Sequence, residues 1–380
     1  MRASPRFRAR ARKYVMRVWS RMLFLILERC PRQKMEWKPV RRVLIIRLET
    51  LGESLLVFPA AKALKQMVPG VRVEVLTRAV TLWKMCPFVD EVLPFHYMGS
   101  LAAALLNFRS YDVVIDTEPF GDYSAVLARL LGRSTVGFRT GGRERLYDQA
   151  ATFNDRQYEA QTFLDLLQPI CGPVMFESLV QPRAVLLREE QSRVDQLLAD
   201  GIVKIAVNLG SSFGSPQRQW PLTRFAELLS AIARKHRCQF VFVGLKLEHE
   251  LVRQLRPMIA GVEFHDWTAS LSVQQLTYLL ERMDGLISAD TGTMHLGAAV
   301  GIPVFSLFGP NLPIRFAPRN RGSVFFYHPT ASSPCINVHL PWPKTPCQCD
   351  GECVRSIGVE EVFTAIDKAL VQNAAMRSVG

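Results

Sequence analysis

The sequence predicts an α/β protein with two doubly wound domains, each a parallel sheet covered by helices on both faces. Short apolar segments, bounded by polar residues, alternate with longer amphipathic segments along most of the chain. This alternation is typical of parallel sheets whose crossover connections are helices. The short segments are almost continuously apolar, which indicates strands that are buried on both faces. With 380 residues, the chain is long enough for two domains that each bury a core.

The first alternation predicts an N-terminal domain over residues 43–183. It opens with the apolar segment 43–48, which is followed by a Gly-containing turn and by a helix from Ser54 to about Met67. Further strands are predicted at 71–77, 91–94 and 112–117, and further helices near 101–107 and 123–131.

The second alternation predicts a C-terminal domain over residues 184–358, which contains a Cys-rich loop at 335–353. A last helix, 359–380, carries apolar residues on one face, and we expect it to pack back toward the first domain. Ligands of doubly wound sheets bind outside the carboxyl ends of the strands, so we expect the ligand in a central cleft that the two domains face. Strands of this domain are predicted at 205–209, 240–243, 262–265, 285–289 and 304–308, and helices at 223–235, 248–258, 273–283 and from 294 onward.

The positive charge of the chain is concentrated in residues 1–42. Fourteen of the 47 Lys and Arg residues lie there, together with only two of the 34 acidic residues. The chain after residue 42 therefore holds 33 basic and 32 acidic residues. A nearly neutral body does not indicate a nucleic-acid partner. The apolar block at 14–27 is too short and too charged to span a bilayer, whereas a basic amphipathic helix suits an anionic membrane surface. We expect residues 1–42 to be such an anchor, with a disordered basic tail or a mispredicted start as the alternatives.

No small-residue cleavage site follows this apolar block, so a secretory signal is not indicated. The body of the protein is therefore expected in the cytoplasm.

Residues 290–295 lie between a predicted strand and the body of the helix that follows it, within a predicted strand, loop, helix and strand unit. The first amides of a helix have no partner within it and favour anions, so those around Gly292 are suited to a phosphate or pyrophosphate. The glycine lets the backbone approach a ligand closely, and the neighbouring threonines add hydroxyl donors. The position of these residues at the helix start predicts nucleotide binding by Asp290, Thr291, Gly292, Thr293 and His295.

Four of the eight cysteines are grouped near the end of the chain with the spacing C-x11-C-x-C-x3-C. Four thiolates from one Pro-rich loop can hold a structural zinc or iron ion, although C-x-C is less typical of such sites than C-x-x-C. Free thiols are the alternative, and a catalytic role is not expected. The group consists of Cys335, Cys347, Cys349 and Cys353.

Three motifs follow one another along the chain. They are Ile45-Ile46-Arg47-Leu48-x-x-Leu51-Gly52-Glu53-x-Leu55, Gln217-Arg218-Gln219-Trp220-Pro221-x-x-Arg224-Phe225 and Asp290-Thr291-Gly292-x-Met294-His295-Leu296-x-Ala298-Ala299-x-Gly301-x-Pro303. Together they resemble the signatures of glycosyltransferase family nine, the ADP-heptose:lipopolysaccharide heptosyltransferases, over roughly residues 43 to 370. The resemblance implies a GT-B fold, in which two Rossmann-like domains face a central cleft and the C-terminal one holds most of the nucleotide sugar. It also implies inverting, metal-independent transfer of heptose from ADP-heptose to the lipopolysaccharide core.

Glu53 stands after the glycine of the first motif, where the family usually has Asp. The resemblance implies that this carboxylate is the general base, which accepts the proton of the acceptor hydroxyl as its oxygen attacks the anomeric carbon. Glu is one methylene longer than Asp. Two consequences therefore stay open: an altered position of the acceptor, or loss of activity. The alternative is that Glu53 only stabilises the helix N-terminus by its charge.

Three further residues are candidates for contacts with the donor, Arg218 and Glu248 from the resemblance and His295 from its place one turn into the helix. Arg218 stands where the family usually has Lys, and a cation there would neutralise diphosphate charge; a solvated surface residue is the alternative. Glu248 resembles the acidic residue that holds the ribose hydroxyls. His295 would donate to phosphate or orient the sugar, and a packed core histidine is the alternative.

Three functions remain open on this basis. The first is heptose transfer to the lipopolysaccharide core by a protein held peripherally on the cytoplasmic face of the inner membrane. The second keeps the donor but has a protein hydroxyl as acceptor, because autotransporter heptosyltransferases carry a four-cysteine iron-binding finger of similar spacing. The third is a non-catalytic nucleotide-sugar-binding protein, for which the replacement of Asp by Glu53 is the main support. An oxidoreductase is disfavoured, since the first strand lacks G-x-G-x-x-G.

Overall fold

The structure is a computed structural model that describes residues 19–29, 39–48, 50–196, 198, 200–210, 218–335 and 349–377, without the side chains of 98 and 373–377. The chain divides into two compact units. The first comprises Met1–Thr50 and Val57–Glu177, and the second comprises Leu51–Leu56 and Ser178–Gly380. Each unit contains a six-stranded sheet whose neighbouring strands are all parallel. The predicted class, α/β with two parallel-sheet domains, is confirmed.

Strands and helices alternate along the first unit. Its strands are β1 Arg42–Ile46, β2 Arg72–Thr77, β3 Glu91–Pro94, β4 Tyr111–Asp116, β5 Gly132–Arg139 and β6 Gln149–Thr152. Its helices are α1 (helical residues 19–27), α2 Leu51–Met67, α3 Val80–Trp83, α4 Tyr97–Leu106, α5 Asp122–Leu131, α6 Glu159–Asp165 and α7 Gln168–Cys171, and a 3₁₀ turn covers Arg143–Arg145.

The sheet of the first unit has the order β3-β2-β1-β4-β5-β6. The first four strands in chain order agree with the sequence prediction, whereas β5 and β6 are not predicted. β5 follows α5 without a turn, because Gly132 both ends the helix and begins the strand. β6 has the sequence QAAT, which lacks a run of large apolar residues. Neither strand carries the local signal that identified the others.

Helix α1 lies against the first unit. Phe24 is 1% exposed and belongs to the core of this unit, where Leu23 and Leu27 pack beside it. The guanidinium of Arg21 lies 3.4 Å from the carboxylate of Asp122, at the start of α5. The described part of the predicted N-terminal segment therefore includes a docked helix that contributes to the core.

The second unit repeats the alternation. Its strands are β7 Val203–Asn208, β8 Cys238–Phe242, β9 Phe264–Asp266, β10 Gly285–Ala289, β11 Val304–Phe308 and β12 Val324–Tyr327. Its helices are α8 Arg188–Asp195, α9 Leu222–Lys235, α10 Lys246–Leu255, α11 Val273–Leu280, α12 Gly292–Ala299, α13 Pro313–Phe316, α14 Glu352–Arg355 and α15 Val359–Arg377, with a 3₁₀ turn at Arg256–Met258.

The sheet of the second unit has the order β12-β11-β10-β7-β8-β9. Chain order reverses between β7 and β10, which are neighbours in the sheet. In doubly wound sheets, the connections diverge at such a switch point and leave a crevice outside the carboxyl ends of the two strands. The ends of β7 and β10 are therefore where a ligand of this unit is expected.

The apolar face of α15 packs within the second unit, whereas the sequence prediction has this helix packing back toward the first domain. Val362 and Ile366 are fully buried and Leu370 nearly so, all in the core cluster of the second unit. The helix packs on α9 and β11, and Lys235 of α9 contacts Asp367 at 2.8 Å. An apolar stripe on a helix specifies burial but not the partner, which explains the difference.

The start of α2 also differs from the sequence prediction. The helix begins at Leu51, not at Ser54, so Glu53 lies in its first turn. The residue before it, Thr50, has a φ of 66°, which L residues rarely adopt. Among the helices of the described residues, none is long and apolar enough to span a membrane.

Candidate functional site

The start of α12 lies at the switch point of the second unit, directly after β10. Thr291 is the N-cap residue, and its hydroxyl accepts a hydrogen bond from the amide of Met294 at 3.4 Å and contacts the hydroxyl of Ser288 at 3.1 Å. The amides of Gly292 and Thr293 belong to the first turn, whose N–H groups have no acceptor within a helix. The predicted strand, loop and helix unit is confirmed, and anion binding by its first amides stays a prediction.

Asp290 forms a buried ion pair at this helix start. Arg218 donates to its carboxylate at 2.5 Å, and the two residues are 8% and 9% exposed. Asn311 donates to the same carboxylate oxygen at 2.8 Å. Arg218 is therefore no solvated surface residue, and the fold brings its cation to the place where the sequence predicts phosphate.

Two asparagines at this edge of the sheet are absent from the sequence prediction. Asn311 follows the carboxyl end of β11 by three residues and is 4% exposed. Asn208 ends β7 and is 2% exposed; its amide donates to the carbonyl of Val243 at 3.0 Å, and its Oδ1 has no hydrogen-bond partner among the described residues. Their position after buried parallel strands is the one signal that could have found them.

Helix α2 is divided between the units: Leu51–Leu56 group with the second unit and the rest of the helix with the first. The first turn of α2 contacts the start of α12 closely. A Cβ at Gly292 would lie 3.1 Å from Leu51 Cδ2 and 3.4 Å from the amide nitrogen of Gly52. A Cβ at Gly52 would lie 2.8 Å from the ring of His295. A side chain at Gly52 would therefore require the His295 ring to shift, and one at Gly292 would be tightly packed against Leu51 and Gly52. Glu53 follows Gly52 directly and is partly buried, so the predicted base and the predicted phosphate site are brought together.

His295 lies one turn into α12 and is 4% exposed. Its ring packs edge-on against the ring of Phe316, with 6.3 Å between the centroids. The ring also contacts the first turn of α2 at Gly52. His295 therefore joins α12, α13 and the turn that carries Glu53.

Glu248 lies on the other side of the switch point, in the first turn of α10. Its carboxylate accepts a hydrogen bond from the amide of Leu245 at 2.7 Å, and the residue is 8% exposed. A Cβ at Gly210 would lie 1.8 Å from Glu248 Oε1, and one at Gly244 would lie 2.5 Å from its Cγ. The side chain therefore occupies the space that these glycines leave at the carboxyl ends of β7 and β8.

The cysteine group lies beside β12 and α14. The sulfurs of Cys349 and Cys353 are 3.9 Å apart. Cys335 and Cys353 are buried, and burial together with these two thiols raises the pKa of Tyr327. Cys347 lies outside the described residues, and the described residues contain no group of three or more metal-ligating side chains.

Hydrogen bonds favour the thiolate form of Cys349. Burial raises the pKa of this thiol, but donors from the backbone of Cys353 and Gly351 and from the hydroxyls of Thr330 and Ser332 outweigh it and lower the pKa to about 6. A thiolate at neutral pH is the form that binds metal ions.

A parallel sheet with a glycine-started helix at its switch point and a buried acid across from it is the arrangement of a nucleotide-binding α/β protein. Residues 98–343 match the sequence profile of glycosyltransferase family 9 (heptosyltransferase), which is more than half of the chain. The chain belongs to this family and is therefore a glycosyltransferase.

Two lipopolysaccharide heptosyltransferases share about a quarter of their aligned residues with this chain. Lipopolysaccharide heptosyltransferase 1 of Pseudomonas aeruginosa is 25% identical over 331 residues, which cover 80% of this chain and 88% of the relative. Lipopolysaccharide heptosyltransferase 1 of Salmonella typhimurium is 23% identical over 301 residues, which cover 72% and 89%. The similarity thus extends over most of each protein.

Solved structures share the fold. A family 9 glycosyltransferase from Veillonella parvula has a TM-score of 0.75 at 19% identity and covers 90% of this chain and 100% of its own. The ADP-heptose lps heptosyltransferase II of E. coli has a TM-score of 0.70 at 18% identity, with 88% and 99% covered. The dodecameric iron-containing heptosyltransferase TibC has a TM-score of 0.57 at 16% identity, with 89% and 79% covered. The two Rossmann-like units are those of a GT-B fold.

Proposed function

We propose that this protein transfers a heptose from ADP-heptose to the lipopolysaccharide core, with inversion at the anomeric carbon. The observation that carries the proposal is the contact of the Gly52 turn with Gly292 and His295 at the start of α12. It brings the proposed base, Glu53, to the amides proposed to hold the diphosphate. Family membership and the names of the two heptosyltransferase relatives support the donor and the acceptor.

The donor is held, on this proposal, by the switch point of the second unit. The amides of Gly292 and Thr293 and the hydroxyl of Thr291 bind the diphosphate, while Glu248 accepts hydrogen bonds from the ribose hydroxyls. Arg218 neutralises the charge that develops on ADP as it leaves, and Asp290 holds the guanidinium in place at 2.5 Å. Helix amides and a cation then supply the stabilisation that a divalent metal gives in other transferases.

Glu53 acts as the general base in this mechanism. Its carboxylate takes the proton from the acceptor hydroxyl while the oxygen attacks the anomeric carbon from the face opposite ADP. Attack opposite the leaving group inverts the configuration at that carbon. The reaction proceeds on the cytoplasmic face of the inner membrane, where the protein is held at the surface.

The acceptor is tested by comparing lipopolysaccharide from a deletion strain with that of the parent by mass spectrometry. Loss of one heptose from the core, restored by the intact gene, is expected. Unchanged lipopolysaccharide together with loss of heptose from a surface protein would move the acceptor to a protein hydroxyl. A purified protein that binds ADP-heptose but releases no ADP with either acceptor would be a nucleotide-sugar-binding protein instead.

A structural metal ion on the cysteine group is the second part of the proposal. Two sulfurs bound to one tetrahedral zinc at about 2.3 Å are about 3.8 Å apart, and those of Cys349 and Cys353 are 3.9 Å apart. The lowered pKa of Cys349 favours the ligating thiolate. Cys335, which does not group with these two thiols among the described residues, and Cys347 would complete the proposed set when the metal binds. The iron-containing neighbour TibC makes iron the alternative to zinc.

Cys349→Ser is expected to lower metal content and thermal stability together, because binding a structural metal contributes to folding free energy. Elemental analysis of the wild-type protein should give about one zinc or iron ion per chain, as a four-thiolate site requires. Cys238→Ser, at a half-buried thiol on β8, is the matched control and should leave metal content unchanged. Metal-free wild-type protein of full stability would contradict the site.

The exposed face of α1 is proposed to enter the membrane surface. Trp19 and Ile26 are 57% and 58% exposed, on a helix whose Phe24 side is buried. Trp19→Ser with Ile26→Ser should weaken binding to anionic vesicles at least about tenfold, since each large apolar side chain contributes about 1.5–3 kcal/mol when fully buried. Vesicle co-sedimentation measures this.

Met175→Ser with Val185→Ser provides the control, because these side chains are 75% and 80% exposed and lie elsewhere in the sequence. Equal vesicle binding by both double variants would count against the α1 face. Substitution is a sharper test than truncation of residues 1–42, which would remove Phe24 from the core and Arg42 from β1.

A further inference from the structure

Arg47 is a buried cation that joins two loops at the carboxyl end of the first unit's sheet. It follows β1 and is 1% exposed. Its guanidinium donates to the carbonyl of Thr117 at 3.2 Å and to the hydroxyl of Thr50 at 3.3 Å, and it lies over the ring of Phe163 at 5.4 Å. The Arg47 side chain therefore connects Thr117, after β4, with Thr50, before α2.

Glu118, in the loop after β4, also contacts the residues that follow β1. Its Oε1 accepts a hydrogen bond from the amide of Leu48 at 2.8 Å and lies 3.8 Å from Nε of Arg47. The backbone of Glu118 is itself fixed, because its amide donates to Asp116 at 3.0 Å and its carbonyl accepts from the buried guanidinium of Arg143. Glu118 is thus a rigid support for the residues that follow β1.

The residue directly before α2 has an unfavourable backbone conformation. Thr50 is the N-cap of α2 and has φ 66° and ψ 130°. Such a conformation persists in a residue other than glycine only where the surroundings enforce it, and it is concentrated at functional sites. The hydroxyl of Thr50 is bound by Arg47, and Glu53 follows three residues later in the first helical turn.

We infer that Arg47 and Glu118 are positioning residues: they hold Leu48 and Thr50, which precede α2, so that Glu53 in the first turn of that helix meets the acceptor hydroxyl in reactive geometry. The inference rests on the proposed role of Glu53 as the base. Arg47 is buried, whereas the Glu118 side chain is 16% exposed and the two charged groups are 3.8 Å apart. An ion pair of this kind adds little net stability compared with apolar packing, so stability alone does not account for it. Catalytic rates fall steeply when a reacting group is displaced by about 1 Å, which makes turnover the sensitive property.

Glu118→Ala removes the acceptor for the Leu48 amide and the partner of Arg47. We expect kcat for ADP release to fall about thirtyfold to a hundredfold, in the range for a misplaced catalytic group, while the Kd for ADP stays the same. Glu118→Gln keeps an oxygen for the Leu48 amide and should recover part of the loss. Glu91→Gln is the matched control, because Glu91 is an exposed partner of Arg72 in the same sheet, and it should have wild-type kcat.

The decisive measurement combines Glu118→Ala with Glu53→Gln. A residue that acts through Glu53 has nothing further to lose once the base is gone, so the double variant should be no slower than Glu53→Gln alone. An equal fold-loss in both backgrounds would overturn the positioning role, as would wild-type kcat in Glu118→Ala. If Glu118→Ala does not fold, Arg47→Lys and Glu118→Gln are tested in the same cycle.

The outcomes separate this inference from the proposed function. Full turnover by Glu53→Gln would reject Glu53 as the base whatever the Glu118 variants do. A slow Glu53→Gln beside an unaffected Glu118→Ala would leave the base in place and reject only the positioning pair.

Discussion

Glu53→Gln is expected to lower turnover with ADP-heptose at least about a hundredfold, because a positioned general base contributes roughly 10²–10⁴-fold. Glutamine has nearly the same size and hydrogen-bonding reach but cannot accept a proton at neutral pH. The affinity for ADP should be unchanged, since the proposed diphosphate contacts come from α12 and Arg218. Steady-state ADP release gives kcat, and calorimetry gives the Kd for ADP.

Glu360→Gln is the matched control, because Glu360 also lies in the first turn of a helix and is exposed. Both substitutions remove a charge that favours a helix N-terminus, but only Glu53→Gln should affect turnover. Equal kcat values for the two variants would leave helix stabilisation as the role of Glu53. Glu53→Asp restores the residue usual in the family and should retain much more turnover than Glu53→Gln.

Arg218→Gln is expected to weaken ADP binding by roughly tenfold to a hundredfold. A hydrogen bond to a charged group contributes about 1.5–3 kcal/mol, and 1.4 kcal/mol corresponds to about a tenfold change in Kd. The substitution also leaves the carboxylate of Asp290 buried without its cation, so the melting temperature should fall as well. Calorimetry with ADP and thermal unfolding measure the two effects.

Arg218→Gln with Asp290→Asn separates binding from stability. Removing both charges relieves the unpaired carboxylate, so stability should recover while ADP binding stays weak. Arg253→Gln is the control for loss of an arginine, because Arg253 pairs with Glu250 on the exposed face of α10. ADP affinity that recovers together with stability in the double variant would show that Arg218 supports only the fold.

The β10 and α12 region was predictable from the sequence because its signals are local. Gly285–Ala289 is a short apolar run, Thr291 is a residue type that caps helices, and Gly301 follows the helix. Each of these preferences acts over a few residues. The bounds of β10 and β11 agree with the structure for the same reason.

Long-range polar partners could not be predicted in this way. Arg218 and Asp290 are 72 residues apart, and Leu48 and Glu118 are 70 residues apart. Nothing in the pattern near Asn311 indicates that it binds Asp290. Such pairs arise from the order of the strands in the sheet, which brings the ends of distant strands to one edge.

The sequence by itself determined the α/β class, the alternation of strands and helices, and the helix start around Gly292, because hydrophobic periodicity and helix-start signals are properties of neighbouring residues. The tertiary structure alone decided that α15 buries its apolar face in the second unit, that Phe24 of α1 enters the core of the first, and that Gly52 and Gly292 lie in tight contact. An amphipathic face specifies that a helix buries apolar residues, and a glycine specifies that the backbone can be approached closely. Which element makes the contact depends on the surfaces that the folded chain brings together.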